Sequence, residues 1–202
     1  MSTPTPDDDP ARTDAVGPDT TSHDTAPAPT PGASLPTDGH ADGLAGGRVL
    51  DPARVADHLA IQDLATAYAY AVDDRDWARW EQLFTPGAQV DYTAAGGIAG
   101  TAAQVAAWMS DAMAIFSFCQ HTTATHEIRF TGPDTATGRV HVFNRNGVEW
   151  EGRSEIFDVS AIYEDTYQRV GDGWRISGRT ERTLCMTDGA FADMIRDMAS
   201  GD

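Results

Sequence analysis

The strongest constraint on the fold is the second half of the chain, where four long segments rich in β-branched and aromatic residues follow one another. Only short turn-forming pieces separate them, which favours antiparallel hairpins and leaves no room for the helices that connect parallel strands. The predicted strands are His121 to Phe130, Thr135 to Asn144, Glu155 to Val170 and Trp174 to Met186, and the predicted turns are Gly132-Pro133-Asp134, Asn146-Gly147 and Gly171-Asp172-Gly173.

Helical patterns precede these strands. The dipeptide Asp51-Pro52 is a helix start signal, and from there to about Val72 the apolar residues recur mostly at three- and four-residue spacing. Helices first and a strand meander afterwards indicate an α+β fold, with the helices packed on one face of a curved antiparallel sheet. The other predicted elements are a helix from Trp77 to Phe84, a strand from Gln89 to Thr93, a helix from Thr101 to about Ala114 and a terminal helix from Ala190 to Met198.

Residues 1–48 lack the side chains from which a core is built. They hold eight of the eleven prolines and no Phe, Trp, Tyr or Cys, and eight Asp against Arg12 and Arg48 give them a charge of -6. We therefore predict a disordered tail over residues 1–48 and a folded domain over residues 49–202. His23 and His40 lie in this tail, so they are discounted as catalytic groups.

The net charge of -17 arises from 14 arginines against 31 acids, with no lysine in the chain. Nucleic acids and anionic membranes attract clustered positive charge, so neither is an expected partner. No run approaches the roughly twenty apolar residues of a membrane span, and the N-terminus lacks a signal-peptide pattern, so we expect a cytoplasmic protein. In that compartment Cys119 and Cys185 are expected as reduced thiols.

The sequence contains no motif that announces a cofactor or a metal. It has no glycine-rich phosphate loop, no His-x-x-x-His pair, no Cys-x-x-Cys and no Gly-x-Ser-x-Gly elbow. We therefore predict no cofactor and no metal site, and look instead to polar residues within otherwise apolar elements. These are Tyr68, Tyr70, Asp73, His121, His126, His141 and Asn144.

Asp73 together with a histidine is the most informative arrangement. A carboxylate bonded to one imidazole nitrogen fixes the tautomer and makes the other nitrogen more basic. Tyr68, five residues earlier, would then donate a hydrogen bond to a carbonyl or a leaving hydroxyl. Each residue also has a plainer explanation: Asp73 lies among charged residues at a helix end, where capping or solvation is usual, and a tyrosine at helical spacing is more often a core residue.

The alternation of side chains along a strand separates the two later histidines. His126 is two residues before Ile128 and faces the same side of the strand, so it is either a core histidine or part of a pocket wall. His141 has the opposite parity to Val140 and Val142, which favours a side chain that faces solvent.

Five pieces follow one another in a fixed order: Tyr68-Ala-Tyr-Ala-Val-Asp73-Asp-Arg-Asp, Trp77-x-x-Trp80-x-x-Leu83-Phe84-Thr-Pro-Gly-Ala-Gln-Val-Asp91-Tyr92, a Gly-x-x-Gly turn with a helix after it, Gln120-His121, and Gly173-Trp174-Arg175-Ile176-x-x-Arg179. In order and spacing they resemble the SnoaL-like branch of the nuclear transport factor 2-like superfamily. The resemblance covers about Val55 to Arg182. It implies a cone-shaped α+β domain whose curved antiparallel sheet wraps around the N-terminal helices and encloses an apolar pocket.

The resemblance also implies roles for particular residues. In its dehydratase and dehydrochlorinase members, an Asp at the end of the first long helix pairs with a His at the start of the strand after the third helix. Asp73 and His121 occupy those places, and Tyr68 matches the position of a catalytic tyrosine. The implied catalytic residues are thus Asp73, His121 and Tyr68, the implied substrate contacts are Asn144 and Arg179, and the pair Asp91-Tyr92 is expected to be structural. We predict Tyr70, Trp77 and His126 as further substrate contacts.

Three functions follow from this reading. The first is a cofactor-independent lyase, a dehydratase acting on a hydrophobic cyclic or polyketide-like small molecule, in which His121 removes a proton alpha to a carbonyl. The second is a SnoaL-like cyclase or isomerase that acts through an enolate with the same residues. The third is a non-catalytic ligand-binding or assembly subunit in which Asp73 only caps a helix. A homo-oligomer, dimer or trimer, is expected from the resemblance alone.

Overall fold

The computed structural model describes residues 51–200, apart from the side chain of Trp150, and these residues form four α-helices and six β-strands. The tail predicted over residues 1–48 lies outside the described residues. The helices are α1 (Val55–Asp73), α2 (Trp77–Gln82), α3 (Ala102–Ala112) and α4 (Ala190–Ser200). The strands are β1 (Phe84–Asp91), β2 (Ala99–Thr101), β3 (Phe116–Phe130), β4 (Thr135–Trp150), β5 (Arg153–Val170) and β6 (Gly173–Met186).

Helix α1 begins where the sequence predicts. Asp51 accepts a hydrogen bond of 2.9 Å from the backbone N–H of Ala53 and opens a short 3₁₀ turn, Pro52–Arg54, that leads into the helix. The buried residues of α1 recur about every three or four positions, so one face of the helix packs on the sheet. They include Ile61, Leu64, Ala65, Tyr68 and Val72.

The next two helices are capped by side chains from their own sequence. At the start of α2, Asp76 accepts a hydrogen bond of 2.9 Å from the N–H of Arg79. At the start of α3, Thr101 and Gln104 form a capping box, in which each side chain bonds to the other residue's backbone N–H. Helix α2 is shorter than predicted, because Phe84 already belongs to β1.

The six strands form one sheet in the order β2-β1-β6-β5-β4-β3. Strands β3 to β6 pair as the predicted antiparallel meander, which confirms the α+β fold. The expectation of a wholly antiparallel sheet needs a correction, because β1 pairs parallel with β6. A parallel pair needs a long connection, and here β2, α3 and three further strands lie between the two partners.

The turn predicted at Asn146-Gly147 is wrong. Both residues lie inside β4, where Gly147 pairs with Phe118 of β3. Glycine fits there because a Cβ atom would collide with the Phe118 ring. The chain reverses instead at Glu151 and Gly152, whose φ angles of 50° and 74° are the left-handed values that a two-residue hairpin turn requires.

Irregular pairing bends the long strands. The register shifts in β3 between Ala124 and His126, and in β5 between Ser160 and Ala161. Such bulges increase the local twist and bend of a strand. The sheet therefore curves around the helices as the cone-shaped fold that the sequence predicts.

Helix α4 forms where the sequence predicts a terminal helix and packs on one end of the sheet. Phe191 contacts the rings of Phe116 and Phe157, with centroids 5.8 and 5.2 Å away. These rings belong to a small apolar cluster beside the main core. Within residues 51–200, no helix is long and apolar enough to cross a membrane.

Candidate active site

A cavity of ≈ 150 Å³ lies between the helices and the curved sheet. Its apolar walls come from α1, α3, β5 and α4, among them Trp108 and Ile195. A cavity of about 150 Å³ holds a ligand the size of benzene, so this site suits a molecule with a single ring. The polar side chains that line it are Tyr68, Tyr92, His121, Asn144, Asn146, Tyr163 and Glu181.

Asp73 and His121 form a hydrogen-bonded pair at the wall of this cavity. Nδ1 of His121 lies 2.6 Å from Oδ1 of Asp73. The backbone N–H of His121 also donates to both oxygens of the same carboxylate, at 3.1 and 3.0 Å. Asp73 is thus engaged with β3, and the backbone cap at the end of α1 is the next residue, Asp74. The structure brings together the two residues that the sequence paired.

This bonding defines the tautomer of the imidazole. An ionised carboxylate only accepts hydrogen bonds, so in the neutral imidazole of His121 we assign the proton to Nδ1 and the lone pair to Nε2. The side chain of His121 is 6% exposed and that of Asp73 is 20% exposed. The imidazole is therefore largely shielded from solvent, and its Nε2 atom is available to a ligand in the cavity. This is the arrangement of a general base.

Tyr68 lies next to this pair. Its ring meets that of His121 edge-on, with centroids 6.1 Å apart. Its hydroxyl oxygen is 2.8 Å from that of Tyr92, and both residues are buried. Burial raises the pKa of Tyr92 well above its usual value, so this phenol keeps its proton at neutral pH. One phenol proton serves the bond between the two hydroxyls, and the other is left for an oxygen atom of a ligand.

Arg179, predicted to contact the substrate, lies behind the cavity wall. Its guanidinium donates two hydrogen bonds of 2.7 Å to Asp165, and the two side chains are 1% and 0% exposed. The same guanidinium is stacked between the rings of Tyr68 and Tyr163, 4.2 and 4.1 Å from their centroids. The predicted role is therefore corrected: a planar cation fits this stacked, bidentate setting and holds the two tyrosines in place.

Tyr70 and Trp77 also lie away from the cavity, although both are predicted substrate contacts. Tyr70 is 59% exposed, because a position two residues after Tyr68 points to a different side of α1. Trp77, the first residue of α2, packs against the main core. Both placements correct the prediction, because nearness in sequence to Tyr68 and Asp73 does not tell which face of a helix a residue occupies.

His126, a further predicted substrate contact, belongs to a buried network instead. The Tyr167 hydroxyl donates to Asp165 at 2.7 Å, so its only proton is used and Nε2 of His126 must donate to the same hydroxyl, 3.0 Å away. Nδ1 is then the unprotonated nitrogen, and it is buried without a hydrogen-bond partner among the described residues. Burial lowers the pKa of His126 to about 4. His141 is exposed, as its parity predicts.

Asn144 lines the cavity, where the sequence predicts a substrate contact. It pairs with His121 across β3 and β4, and its Oδ1 atom is buried with no hydrogen-bond partner in the described part of the chain. Asn146 lines the cavity as well, and it is missing from the predicted site because Asn146-Gly147 is taken for a turn. Its two-residue spacing from Asn144 is the signal that places both amides on one face of the strand.

Two further cavity residues are absent from the predicted site. Tyr92 is expected to be structural, yet its hydroxyl bonds to that of Tyr68 at the cavity. Glu181 is 8% exposed, and burial raises its pKa to about 7. The two-residue spacing of Arg179 and Glu181 on β6 indicates a shared, buried face, but charged residues near a strand end are more often solvated.

The remaining reactive side chains form no cluster. Within residues 51–200, no three His, Cys, Asp or Glu side chains are grouped so that they could hold a metal ion. Cys119 and Cys185 are free thiols, as predicted. Burial raises the pKa of Cys119 to about 11, which makes this thiol a poor nucleophile at neutral pH.

Residues 53–180 match the family model of the SnoaL-like domain. The chain belongs to the SnoaL-like domain family. An uncharacterized protein of Mycobacterium tuberculosis, Rv2910c, is 35% identical to this SnoaL-like protein over 137 residues, which cover 68% of the present chain and 91% of the relative. An uncharacterized protein of Mycobacterium bovis matches with the same identity and coverage.

Solved structures share the fold of this SnoaL-like protein. The crystal structure of LinA superposes with a TM-score of 0.60 at 24% identity, over 68% of this chain and 92% of the other. The dehydrochlorinase LinA-type3 of Novosphingobium barchaimii gives 0.58 at 21%, over 68% and 92%. A proposed scytalone dehydratase of Novosphingobium aromaticivorans gives 0.58 at 21%, over 67% and 89%. These likenesses show that the fold is shared, and the reaction must be argued from the site.

Proposed function

We propose that this SnoaL-like protein is a cofactor-independent lyase, a dehydratase of a small cyclic ketone with a hydroxyl group beta to the carbonyl. The proposal rests on the 2.6 Å pair between Asp73 and His121 at the wall of an apolar cavity. A base held in one tautomer beside an apolar binding site is what such an elimination requires. Support comes from the solved neighbours, which include a hexachlorocyclohexane dehydrochlorinase and a proposed dehydratase.

The cavity residues divide the chemistry among them. Nε2 of His121 takes the proton alpha to the carbonyl, and the carboxylate of Asp73 stabilises the imidazolium that forms. Tyr68 donates its hydroxyl proton to the carbonyl oxygen as negative charge develops there, while Tyr92 donates to the oxygen of Tyr68. The resulting enolate then expels the beta hydroxyl group, and a double bond forms.

A cyclase or isomerase that works through an enolate is the second candidate. The pair of buried phenols, Tyr68 and Tyr92, favours it, because their hydrogen bonds stabilise an enolate whatever happens to it next. Proton removal by His121 is common to both reactions. They differ in the product, because only the dehydratase releases water.

The test uses single-ring β-hydroxy ketones, with 3-hydroxycyclohexanone as the first probe because its size suits the cavity. The full-length protein is incubated with the ketone in D₂O, and NMR and mass spectrometry follow deuterium uptake and loss of water. We expect both with the wild-type protein, and a rate lower by about 100-fold or more in His121→Ala and Asp73→Asn, because positioned acid–base catalysis contributes that much. His126→Gln is the matched control, since its ring lies in a separate network on the same strand.

The possible outcomes distinguish the dehydratase from the other two candidate functions. A rate within a few-fold of wild type in both Asp73→Asn and His121→Ala would remove the general base from the proposal. Deuterium uptake without loss of water would favour the isomerase or cyclase. Ketone binding without any uptake of deuterium is the result expected of a non-catalytic binding protein.

A further inference from the structure

Glu181 is the one acidic side chain among the residues that line the cavity. It lies on β6 opposite Tyr163 of β5, whose ring also lines the cavity. His121 on β3 lines the same cavity. The ring of Tyr68 lies between the two sides of the cavity, with its centroid 6.1 Å from that of His121 and 5.4 Å from that of Tyr163. A small ring bound in this cavity therefore has both His121 and Glu181 at its walls.

The Glu181 carboxyl has no ionic partner in the described part of the chain. No arginine or histidine nitrogen of residues 51–200 forms an ion pair with it, although it is 8% exposed. Arg179 lies two residues before Glu181, on the same face of β6. Its guanidinium, however, is bonded to both oxygens of Asp165. An ionised carboxylate in such a setting is strongly disfavoured, whereas a protonated one is tolerated.

The neighbouring hydroxyl of Thr183 gives the carboxyl little support as an anion. This hydroxyl has one proton, and the shorter of its two contacts, 3.0 Å, is with the backbone carbonyl of Ala94. Its contact with Oε1 of Glu181 is longer, at 3.4 Å, so it donates only weakly to the carboxyl.

The other charged and titratable groups that face Glu181 do not stabilise its ionised form enough to offset the effect of burial. Burial raises the pKa of Tyr92 and of Tyr163 well above the usual value, so both are neutral phenols, and the charge of Arg179 is balanced by Asp165. Burial raises the pKa of Glu181 to about 7, against the smaller opposing effects of Arg179 and Thr183. Near neutral pH the side chain therefore gives up a proton as readily as it keeps one, which suits a general acid.

We propose that Glu181 is the general acid of this site and protonates the leaving oxygen while His121 removes the proton from carbon. The proposal rests on the proposed function, because it needs His121 as the base. It adds a substrate requirement: the leaving group is an oxygen whose conjugate acid is weak, such as a hydroxyl, whose departure from the enolate is fast only when an acid protonates it.

The proton balance is complete within the cavity. His121 Nε2 gains the proton of the C–H bond, whose electron pair passes through the enolate into the new double bond. The C–O bond breaks, its electrons stay on oxygen, and the Glu181 proton converts the leaving hydroxide to water. The enzyme is left with an imidazolium and a carboxylate, and one proton returned through solvent from His121 to Glu181 restores both groups.

The experiment compares two single-ring probes, 3-hydroxycyclohexanone and 3-chlorocyclohexanone, with the full-length protein. In each, a base removes the proton alpha to the carbonyl, the bond from the beta carbon to its substituent breaks, and cyclohexenone is released. Chloride is a stable leaving group that needs no acid, whereas hydroxide leaves rapidly only when an acid protonates it. We expect Glu181→Gln to slow elimination from 3-hydroxycyclohexanone by about 100-fold or more and elimination from 3-chlorocyclohexanone by less than about threefold. Glu164→Gln, at an exposed glutamate of β5, is the matched control.

The outcomes separate this inference from the proposed function. Equal slowing of both probes in Glu181→Gln, or no slowing of either, would overturn the role of Glu181 while His121→Ala still abolishes elimination. If the wild-type protein shows no elimination that depends on His121, the base itself is refuted. The acid is then judged by NMR of ¹³C-labelled glutamate carboxyls: a signal missing from Glu181→Gln should titrate close to pH 7, and titration near the ordinary value of about 4.3 would overturn the inference.

Discussion

Two histidines on β3 have different surroundings and different uses, although hydrogen bonds link each of them to a carboxylate. His121 bonds directly to Asp73 through Nδ1, and its other nitrogen serves the cavity. His126 reaches Asp165 through the hydroxyl of Tyr167, and its other nitrogen is buried without a partner among the described residues. The bulge at Ala124 and the positive φ of 40° at Thr125 lie between the two histidines, so they do not follow one regular alternation.

The two carboxylates explain the difference in use. Both oxygens of Asp165 accept hydrogen bonds, from the guanidinium of Arg179 and the hydroxyl of Tyr167, and none of these three residues lines the cavity, so we call this network closed. Among the described residues Asp73 is hydrogen-bonded only to His121, which itself lines the cavity, so this pair is open to a ligand. A buried pair that does not reach the cavity supports the fold, whereas one whose imidazole reaches it is available for chemistry.

The largest expected effect is on the open pair. Asp73→Asn should lower the rate of 3-hydroxycyclohexanone dehydration by about 100-fold or more, because the amide can also donate to the imidazole and no longer fixes the reactive tautomer. Urea unfolding of the same variant should show a loss of no more than about 1 kcal/mol, the usual range for one hydrogen bond. A large loss of stability with an unchanged rate would assign Asp73 to the fold and not to the reaction.

The closed network should respond in the opposite way. Asp165→Asn leaves the buried Arg179 cation uncompensated, so the free energy of unfolding should fall by about 3–5 kcal/mol in urea titrations. The matched control is Glu164→Gln, where the ion pair with Arg139 is exposed at a separation of 4.0 Å and contributes about 0–1 kcal/mol. Similar losses in both variants would contradict the distinction between closed and exposed pairs.

Two tyrosine variants sharpen the comparison at the level of one hydroxyl group. Tyr68→Phe should slow dehydration roughly tenfold, since a hydrogen bond worth about 1–1.5 kcal/mol to the carbonyl oxygen is lost. Tyr167→Phe should leave the rate unchanged and reduce unfolding free energy by about 1–3 kcal/mol, because Asp165 and His126 lose a partner. Steady-state kinetics and urea unfolding of both variants measure these effects. A loss of rate in Tyr167→Phe with no loss of rate in Tyr68→Phe would contradict the assigned roles.

The most gradual effect, spread over more than two pH units, is a dependence of stability on pH. Burial holds the pKa of His126 at about 4 in the folded chain, below its ordinary value of about 6.5. Between these values the unfolded chain binds a proton that the folded chain does not, so unfolding free energy is full above pH 6.5 and falls towards pH 4, by at most about 1.4 kcal/mol per pH unit. The difference between wild type and His126→Gln in urea titrations across this range isolates the effect, and a constant difference would contradict it.

Most of the fold could be predicted from local sequence patterns. Asp51-Pro52 and Asp76 mark helix starts because capping is a property of a few neighbouring residues, and the strand meander follows from β-rich segments joined by short turns. The turn was misplaced because Asn146-Gly147 and Glu151-Gly152 both suit a hairpin. Pairing of β3 with β4, which continues past Gly147, decides between them.

By itself, the sequence determined the order of helices and strands, the resemblance to a SnoaL-like cone, and the choice of Asp73, His121 and Tyr68 as the candidate catalytic residues. Only the tertiary structure decided which polar groups meet the cavity. Arg179 is withdrawn behind two tyrosine rings, whereas Glu181, two residues later, lines the cavity. The physical reason is that such placement depends on bulges, curvature and pairing between strands distant in sequence, and a spacing of residues along one strand contains none of these.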